Sequence, residues 1–355
     1  MQQELKPITI GIIGGGQLGR MICFEAHKMG FRTIVLCDKE GSPASFVTNK
    51  TIVADYDDRE SLASFAQQVD VATFEFENIP YETVNFINQK ISVYPNPKVL
   101  KITQNRILEK SFLQKIGVEV SDFLQIESLE DLLLGFNKFS KSILKTATMG
   151  YDGKGQFVLE SEDSAKAAWD EIKNNPIILE KFCPFDLEIS VLVARSTAGE
   201  IKSFAPVHNE HKNSILDKTS YPAPISNELQ IKAQNIAQNI AKELDMVGIL
   251  AVEFFVINDK LLVNELAPRP HNSGHITMDL CLTSQFEQLI RSIMGLKLGN
   301  SDFFTTGYMK NLIGEDVLSW QEYCNDSQSK LHLYGKNQIK DGRKMGHVNV
   351  FAPLK

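Results

Sequence analysis

No stretch of this sequence reaches the ~18 consecutive apolar residues of a membrane helix, and its first residues, MQQELKPITI, hold no apolar run of signal-peptide length. The expectation is a cytoplasmic protein that neither spans a membrane nor is exported. Cysteine is sparse. Cys23, Cys37, Cys183, Cys281 and Cys324 are scattered, odd in number and form no C-x-x-C pair. That argues against a disulfide framework and for reduced thiols that fill core space. Positive charge is not in excess: 37 Lys and Arg stand against 44 Asp and Glu, a net charge of −7. Nothing in that balance points to nucleic acid, although a local basic pocket for a small anion is compatible with it. Internal repeats and low-complexity tracts are absent as well.

What is present fits an ordinary globular chain of two or three domains: 355 residues, 43% hydrophobic and 23% charged. The first hundred residues alternate between strand and helix patterns. ITIGIIG, RTIVLCD, TIVAD and VATFEF read as buried strands. QLGRMICFEAHKMG and the stretches near 58–68 and 80–90 read as helices. This alternation predicts a parallel sheet covered on both faces. VYPNPKVL interrupts it with two prolines and opens what reads as one long helix through residue 116. The boundaries expected from this reading are an N-terminal parallel α/β domain over 1–97, a linker helix and small central domain over 98–180, and a C-terminal α+β domain over 181–355. In the central part SILKTA, GQFVLE and PIILEKF are strands between helices near 128–139 and 162–174. Further on, LEISVLVAR and SFAPVHNE pair, a polar helix covers 227–244, and GILAVEFFVIN and KLLVNELAP form a hairpin turning at NDK.

The first motif to weigh is GIIGGGQLGR. Gly14, Gly16 and Gly19 have the G-x-G-x-x-G spacing of a dinucleotide turn, and Asp38 follows 19 residues after Gly19, where such a site holds a ribose. The second is KTATMGYDGKGQ, a glycine loop with Lys145 at its start. Its backbone N–H groups can wrap phosphate oxygens, but it lacks the G-K-[ST] of a Walker loop, and a hairpin with solvated lysines is the plainer alternative. In ILEKFCPFDLEIS, Glu180 and Glu188 flank a short apolar piece that suits an adenine slot with ribose-binding carboxylates, or are surface charges at strand ends. The strongest signal is Glu253 and Glu265 on neighbouring strands of one hairpin. Two carboxylates on one face offer the hard oxygen ligands that Mg²⁺ takes together with substrate phosphates. A carboxylate inside an apolar strand is otherwise expensive unless a Lys or Arg pairs it. The following APRPHNSGH brings Arg269, His271, Asn272, Ser273 and His275 into a rigid, donor-rich loop suited to a small anion.

Taken together, GGGQLGRM, FEFENIP, GYDGKGQ and NELAPRPHNSGH, followed by GRKMGH, resemble the N5-carboxyaminoimidazole ribonucleotide synthetases of purine biosynthesis, within the ATP-grasp superfamily. The resemblance runs in order from residue 8 to about 350. It implies an ATP-grasp fold with an N-terminal pre-ATP-grasp domain, a central lid and a C-terminal α+β domain with an antiparallel sheet, assembled as a homodimer. It implies ATP contacts at Arg106, Lys145, Gly150, Tyr151, Asp152, Gly153, Lys154, Gly155, Gln156, Glu180, Lys181, Phe182, Cys183, Glu188, His211, Asn264 and Glu265, with Mg²⁺ on Glu253 and Glu265. The ribonucleotide is expected at Gln17, Leu18, Glu75, Tyr151, Asp152, Arg269, His271, Asn272 and Ser273, and its phosphate at Lys336, Arg343 and Lys344. Lys145, Asp152, Arg269, His271 and Lys344 are the expected catalytic residues, with His271 and Asp152 as candidates for taking the amine proton. On this reading the opening glycines let a phosphorylated ligand approach a helix N-terminus, and Asp38 is a strand-end residue. The alternatives are an ATP-grasp ligase with another acceptor, a nicotinamide dehydrogenase, and a nucleotide-binding regulator.

Overall fold

The computed structural model describes residues 7–150 and 155–352. Five parallel strands come first: β1 (Thr9–Ile13), β2 (Arg32–Cys37), β3 (Lys50–Val53), β4 (Val71–Phe74) and β5 (Val93–Tyr94), in the order β3-β2-β1-β4-β5. Their apolar runs are buried as a sheet covered on both faces requires, with Ile10, Ile12, Val35 and Phe74 fully enclosed. Helices α1 (Gln17–Lys28), α2 (Arg59–Gln68) and α3 (Tyr81–Asn88) make the crossovers. The strand order reverses at β1, so the ends of β1 and β4 open a crevice at the switch point. Gln17, Leu18 and Glu75 sit there.

The single helix expected through residue 116 is two: α4 (Pro97–Thr103) and α5 (Arg106–Lys115). Asn105 leaves helical geometry, and its side chain accepts hydrogen bonds from the Ile107 and Leu108 amides, capping α5. Such a cap contributes about 1 kcal/mol. Beyond the break, α5 packs against a strand of the C-terminal sheet.

A small antiparallel sheet follows, built from β6 (Phe123–Ile126), β7 (Ser142–Thr146), β8 (Gln156–Leu159) and β9 (Ile177–Lys181) in the order β6-β9-β7-β8. Helices α6 (Leu129–Phe139) and α7 (Glu162–Ile172) share a core with Leu144, Ile177 and Leu179. Strand alternation then turns Lys145 and Glu180 to the opposite face.

The largest sheet holds β10 (Leu187–Arg195), β11 (Ile201–Ser203), β12 (Val207–Lys212), β13 (Ile215–Tyr221), β14 (Gly248–Ile257), β15 (Lys260–Ala267), β16 (Gly307–Ile313), β17 (Ser329–Leu333) and β18 (Lys344–Phe351). Its main path is β15-β14-β10-β12-β13-β16-β18-β17, with β11 beside β10. The β14–β15 hairpin turns at Asn258 and Asp259, which have φ of 47° and 60°, the conformation of a two-residue type I′ turn. Strands β10 and β14 are buried on both faces. Helix α8 (Asn227–Glu243) packs on one; on the other, after the short α9 (Thr277–Leu280), α10 (Gln285–Ile293) shares a core with α1. That shared core fixes the first sheet against the last.

Candidate active site

One cleft of about 1080 Å³ runs between the three sheets. Every site residue named from the sequence and lying among the described residues lines it, except Ser273, which is fully buried behind the wall. Tyr151, Asp152, Gly153 and Lys154 lie outside the described residues.

At one end positive charge is in surplus. The Lys145 ammonium donates to Glu180 Oε2 at 3.0 Å, and the fully buried Lys110 lies 3.5 Å from the same oxygen. Burial alone would raise the pKa of Glu180, but Lys145, Lys110 and Arg106 hold it down to about 2. Burial, with Arg106 and Lys110 close by, lowers the pKa of Lys145. Glu180 Oε1 is buried without a partner. Glu180 and Glu265 stand against Arg106, Lys110 and Lys145, while burial and Glu265 push the neighbouring Glu109 up to about 8, so a net positive charge is left for a polyanion. Neither Lys110 nor Glu109 was singled out from the sequence, where they look like solvated helix charges. Their signal was spacing: Arg106 and Lys110 are i,i+4 and share a face. That face meets β15, where Arg106 reaches Glu265 at 3.2 Å, Lys110 donates to the Asn264 carbonyl at 3.3 Å and Glu109 accepts from the Leu266 amide at 3.1 Å.

The middle of the cleft has the reverse imbalance. Glu253 and Glu265 are direct cross-strand partners, with a bulge after Glu253. Glu188, on β10, points into the same space. Burial first, then repulsion from Glu265, pushes Glu188 up to about 8. Burial, Glu265 and Glu188 raise Glu253 well above the carboxylate range. Glu188 Oε1 is buried without a hydrogen bond, 3.5 Å from His211 Nδ1. Among the described residues no three His, Cys, Asp or Glu side chains converge on one metal position. An all-oxygen pair beside an unsatisfied carboxylate still fits Mg²⁺, which takes one or two carboxylates and completes its shell with phosphates and water.

The far end carries the donor loop. Arg269 forms a two-pronged pair with Glu77 that includes a 2.7 Å contact from Nη2 to Oε1. Glu77, in FEFENIP, was not picked out from the sequence. Asn272 exchanges two hydrogen bonds with Asn311, at 3.0 and 2.8 Å. His271 has its main-chain N–H and C=O held by the fully buried Gln285 at 2.8 Å each. Its Nδ1 contacts Ser273 Oγ at 2.8 Å, and its Nε2 lies 3.4 Å from Glu253 Oε1. Burial, aided by Arg269 and Lys344, pushes the imidazole down to about 3. Lys336, Arg343 and Lys344 gather at the adjoining rim, where the Lys336 ammonium donates to the Lys344 carbonyl at 2.6 Å.

The glycine turn departs from expectation. The Glu75 carboxylate caps the α1 N-terminus, accepting from Gly16 N at 2.6 Å and Gly19 N at 3.2 Å. A Cβ on Gly16 would lie 2.5 Å from Glu75 Oε1, and one on Gly14 (φ +111°) 2.4 Å from Glu75 Cγ. The glycines make room for this internal anion. Glu75 lines the cleft with both oxygens already engaged.

This arrangement is matched by three family models in chain order: a ribonucleotide synthetase pre-ATP-grasp domain over 8–104, an ATP-grasp domain over 111–286, and a phosphoribosylaminoimidazole carboxylase C-terminal domain over 307–354. The chain is thus an ATP-grasp protein. An N5-carboxyaminoimidazole ribonucleotide synthase of Brucella melitensis is 44% identical, over 99% of this chain and 98% of that one. A solved ADP complex of an N5-carboxyaminoimidazole ribonucleotide synthetase has a TM-score of 0.94 at 43% identity, over 99% of this chain and 94% of that one. An Aspergillus clavatus N5-carboxyaminoimidazole synthase, solved with ADP and 5-aminoimidazole ribonucleotide, has a TM-score of 0.92 at 28% identity, covering 98% of this chain and 94% of that one. A bifunctional purine synthesis protein of Dictyostelium discoideum is 42% identical over 96% of this chain, which spans only 36% of that longer protein. The chain belongs to the N5-carboxyaminoimidazole ribonucleotide synthase family.

Proposed function

We propose that this chain is an ATP-dependent ligase that carboxylates 5-aminoimidazole ribonucleotide with bicarbonate, giving N5-carboxyaminoimidazole ribonucleotide, ADP and phosphate. The observation that carries the reading is the ordering of charge along one cleft. A cation-rich end suits a triphosphate, a carboxylate-rich middle suits a divalent cation, and a donor-rich end suits a small oxyanion beside a phosphorylated acceptor.

Bicarbonate is a poor electrophile. Transfer of the γ-phosphoryl group of ATP to one of its oxygens gives carboxyphosphate, whose carbonyl carbon the exocyclic amine can attack as phosphate departs and takes up the amine proton. Lys145 and Arg106 hold the phosphates at the cation-rich end, with the buried Lys110 adding positive charge from behind Glu180. Mg²⁺ held by Glu253 and Glu265 supplies charge neutralisation on the triphosphate when bound. Arg269, fixed by Glu77, and Lys344 hold the bicarbonate and carboxyphosphate oxygens. Lys336 and Arg343 bind the ribonucleotide phosphate. The loop around Gly150–Gly155 excludes water from the reactive intermediate. Among described helices none is long and apolar enough to cross a membrane, and we place the enzyme in the cytoplasm as a homodimer.

The test is Arg269→Ala assayed for phosphate release across a bicarbonate series, beside a panel of alternative amine acceptors. The reading expects a raised KM for bicarbonate, a lowered kcat, and turnover only with the aminoimidazole ribonucleotide. An unchanged bicarbonate dependence removes Arg269 from its role. Preference for another acceptor replaces the substrate.

A further inference from the structure

Behind His271 runs a chain of buried polar side chains. His271 Nδ1 contacts Ser273 Oγ at 2.8 Å, Ser273 Oγ contacts Ser190 Oγ at 2.7 Å, Ser190 Oγ contacts Asn209 Nδ2 at 3.1 Å, and Asn209 Oδ1 contacts Thr219 Oγ1 at 3.1 Å. Ser273, Ser190 and Thr219 are fully enclosed, and Asn209 is 4% exposed. We propose that this chain is a positioning device that fixes His271 as the tautomer with its hydrogen on Nε2, so that the residue offers an N–H donor, and no base, to the cleft.

Each side-chain link could be reversed in concert with the others. Hydroxyls rotate, the amide of Asn209 can flip and an imidazole can exchange tautomers. One contact cannot be reversed. The main-chain N–H of Ser273 is directed at His271 Nδ1, 3.4 Å away. A main-chain N–H only donates, so Nδ1 must be bare. The remaining polarity follows link by link. A bare Nδ1 at 2.8 Å from Ser273 Oγ accepts the Ser273 hydroxyl hydrogen. That hydrogen is then spent, so Ser190 donates to Ser273. Ser190 is then spent in turn, so Asn209 donates to Ser190 through Nδ2, and Asn209 Oδ1 accepts from Thr219. Each link then pairs one donor with one acceptor, which limits the cost of burying the network. At the other side of the ring Nε2 lies 3.4 Å from Glu253 Oε1, which can accept its hydrogen.

Resting on the proposed reaction, this gives His271 a different part from the one expected from the sequence. With its lone pair engaged at Nδ1 it does not take the amine proton. It donates through Nε2 to an oxygen of the bicarbonate-derived anion. Ser273, read from the sequence as a substrate contact, acts through the ring of His271 instead.

Heteronuclear NMR of the histidine ring nitrogens in the full chain tests this directly, with the His271 signals assigned by their loss in His271→Gln. The expected spectrum has a bare Nδ1 and a protonated Nε2. A protonated Nδ1 with a bare Nε2 overturns the proposal. Asn209→Asp replaces the donor in the chain with an acceptor of the same shape. Ser190 then donates to residue 209 and Ser273 to Ser190, which leaves the Ser273 oxygen drawing a hydrogen onto Nδ1. Because the Ser273 main-chain N–H still opposes a hydrogen on Nδ1, the expected result is a mixed tautomer, with kcat lowered about ten- to a hundredfold and KM for ATP held within about twofold. A tautomer and kcat both unchanged in Asn209→Asp overturn the chain's part. The ring signals do not depend on catalysis, so they decide this proposal even if the proposed acceptor is wrong.

Discussion

Glu188→Gln stabilises the metal-free protein while weakening its response to Mg²⁺ and nucleotide. Glu188 shares the cleft with Glu253 and Glu265, and burial with repulsion from Glu265 raises it from 4.5 to about 8. The folded chain therefore keeps a proton that the unfolded chain releases between about pH 4.5 and about pH 8. Across that window stability falls as pH rises, by about 1.4 kcal/mol per pH unit, and above it the loss is complete. By about pH 7 the cost is about 3 kcal/mol. Glu253 and Glu265 share the repulsion, so replacing one carboxylate by an isosteric amide recovers about 1–3 kcal/mol, or a rise of about 1–4 °C in Tm. The assay is thermal unfolding in chelator from about pH 5 to about pH 9, repeated with Mg²⁺ and ADP. Expected are a higher Tm, a flatter pH slope for the variant in chelator, and a smaller gain on adding the ligands. A lower Tm in chelator with the slope of the parent chain would refute the carboxylate-repulsion account.

Gly16→Ala puts a methyl group 2.5 Å from Glu75 Oε1; it should cost at least about 2 kcal/mol, read as a lowered urea midpoint with unchanged m. Glu77→Gln leaves the Arg269 guanidinium without its carboxylate; KM for bicarbonate should rise and kcat fall about tenfold, with KM for ATP unmoved. Lys110→Met removes a buried cation 3.5 Å from Glu180; it should lower stability by about 1–3 kcal/mol and weaken ADP binding, measured by calorimetry.

The elements most legible in the sequence were those whose reason is local. The apolar runs of β1, β2 and β4 fix a buried parallel sheet, and NDK fixes the β14–β15 turn that sets Glu253 opposite Glu265. The motif residues converge because they border strand ends that meet at one cleft. What escaped depends on partners distant in sequence. Glu75 reaches across 59 residues to Gly16, which no window around GGGQLG reveals. Lys110 and Glu109 look solvated until α5 lies on β15. The break at Asn105 hides in a run that suits a continuous helix, and only the capping geometry exposes it. Strands β13, β16, β17 and β18 were not assigned, because their polar residues, such as Asn311, His347 and Asn349, are buried by pairing within the sheet and with the donor loop.

The most direct test of the central claim is phosphate release from ATP by the purified chain with Mg²⁺ and radiolabelled bicarbonate, with and without 5-aminoimidazole ribonucleotide. The account predicts strong stimulation by the ribonucleotide and label carried into an acid-labile product in step with phosphate. ATP turnover that ignores the ribonucleotide, or stimulation without label in the product, would contradict it.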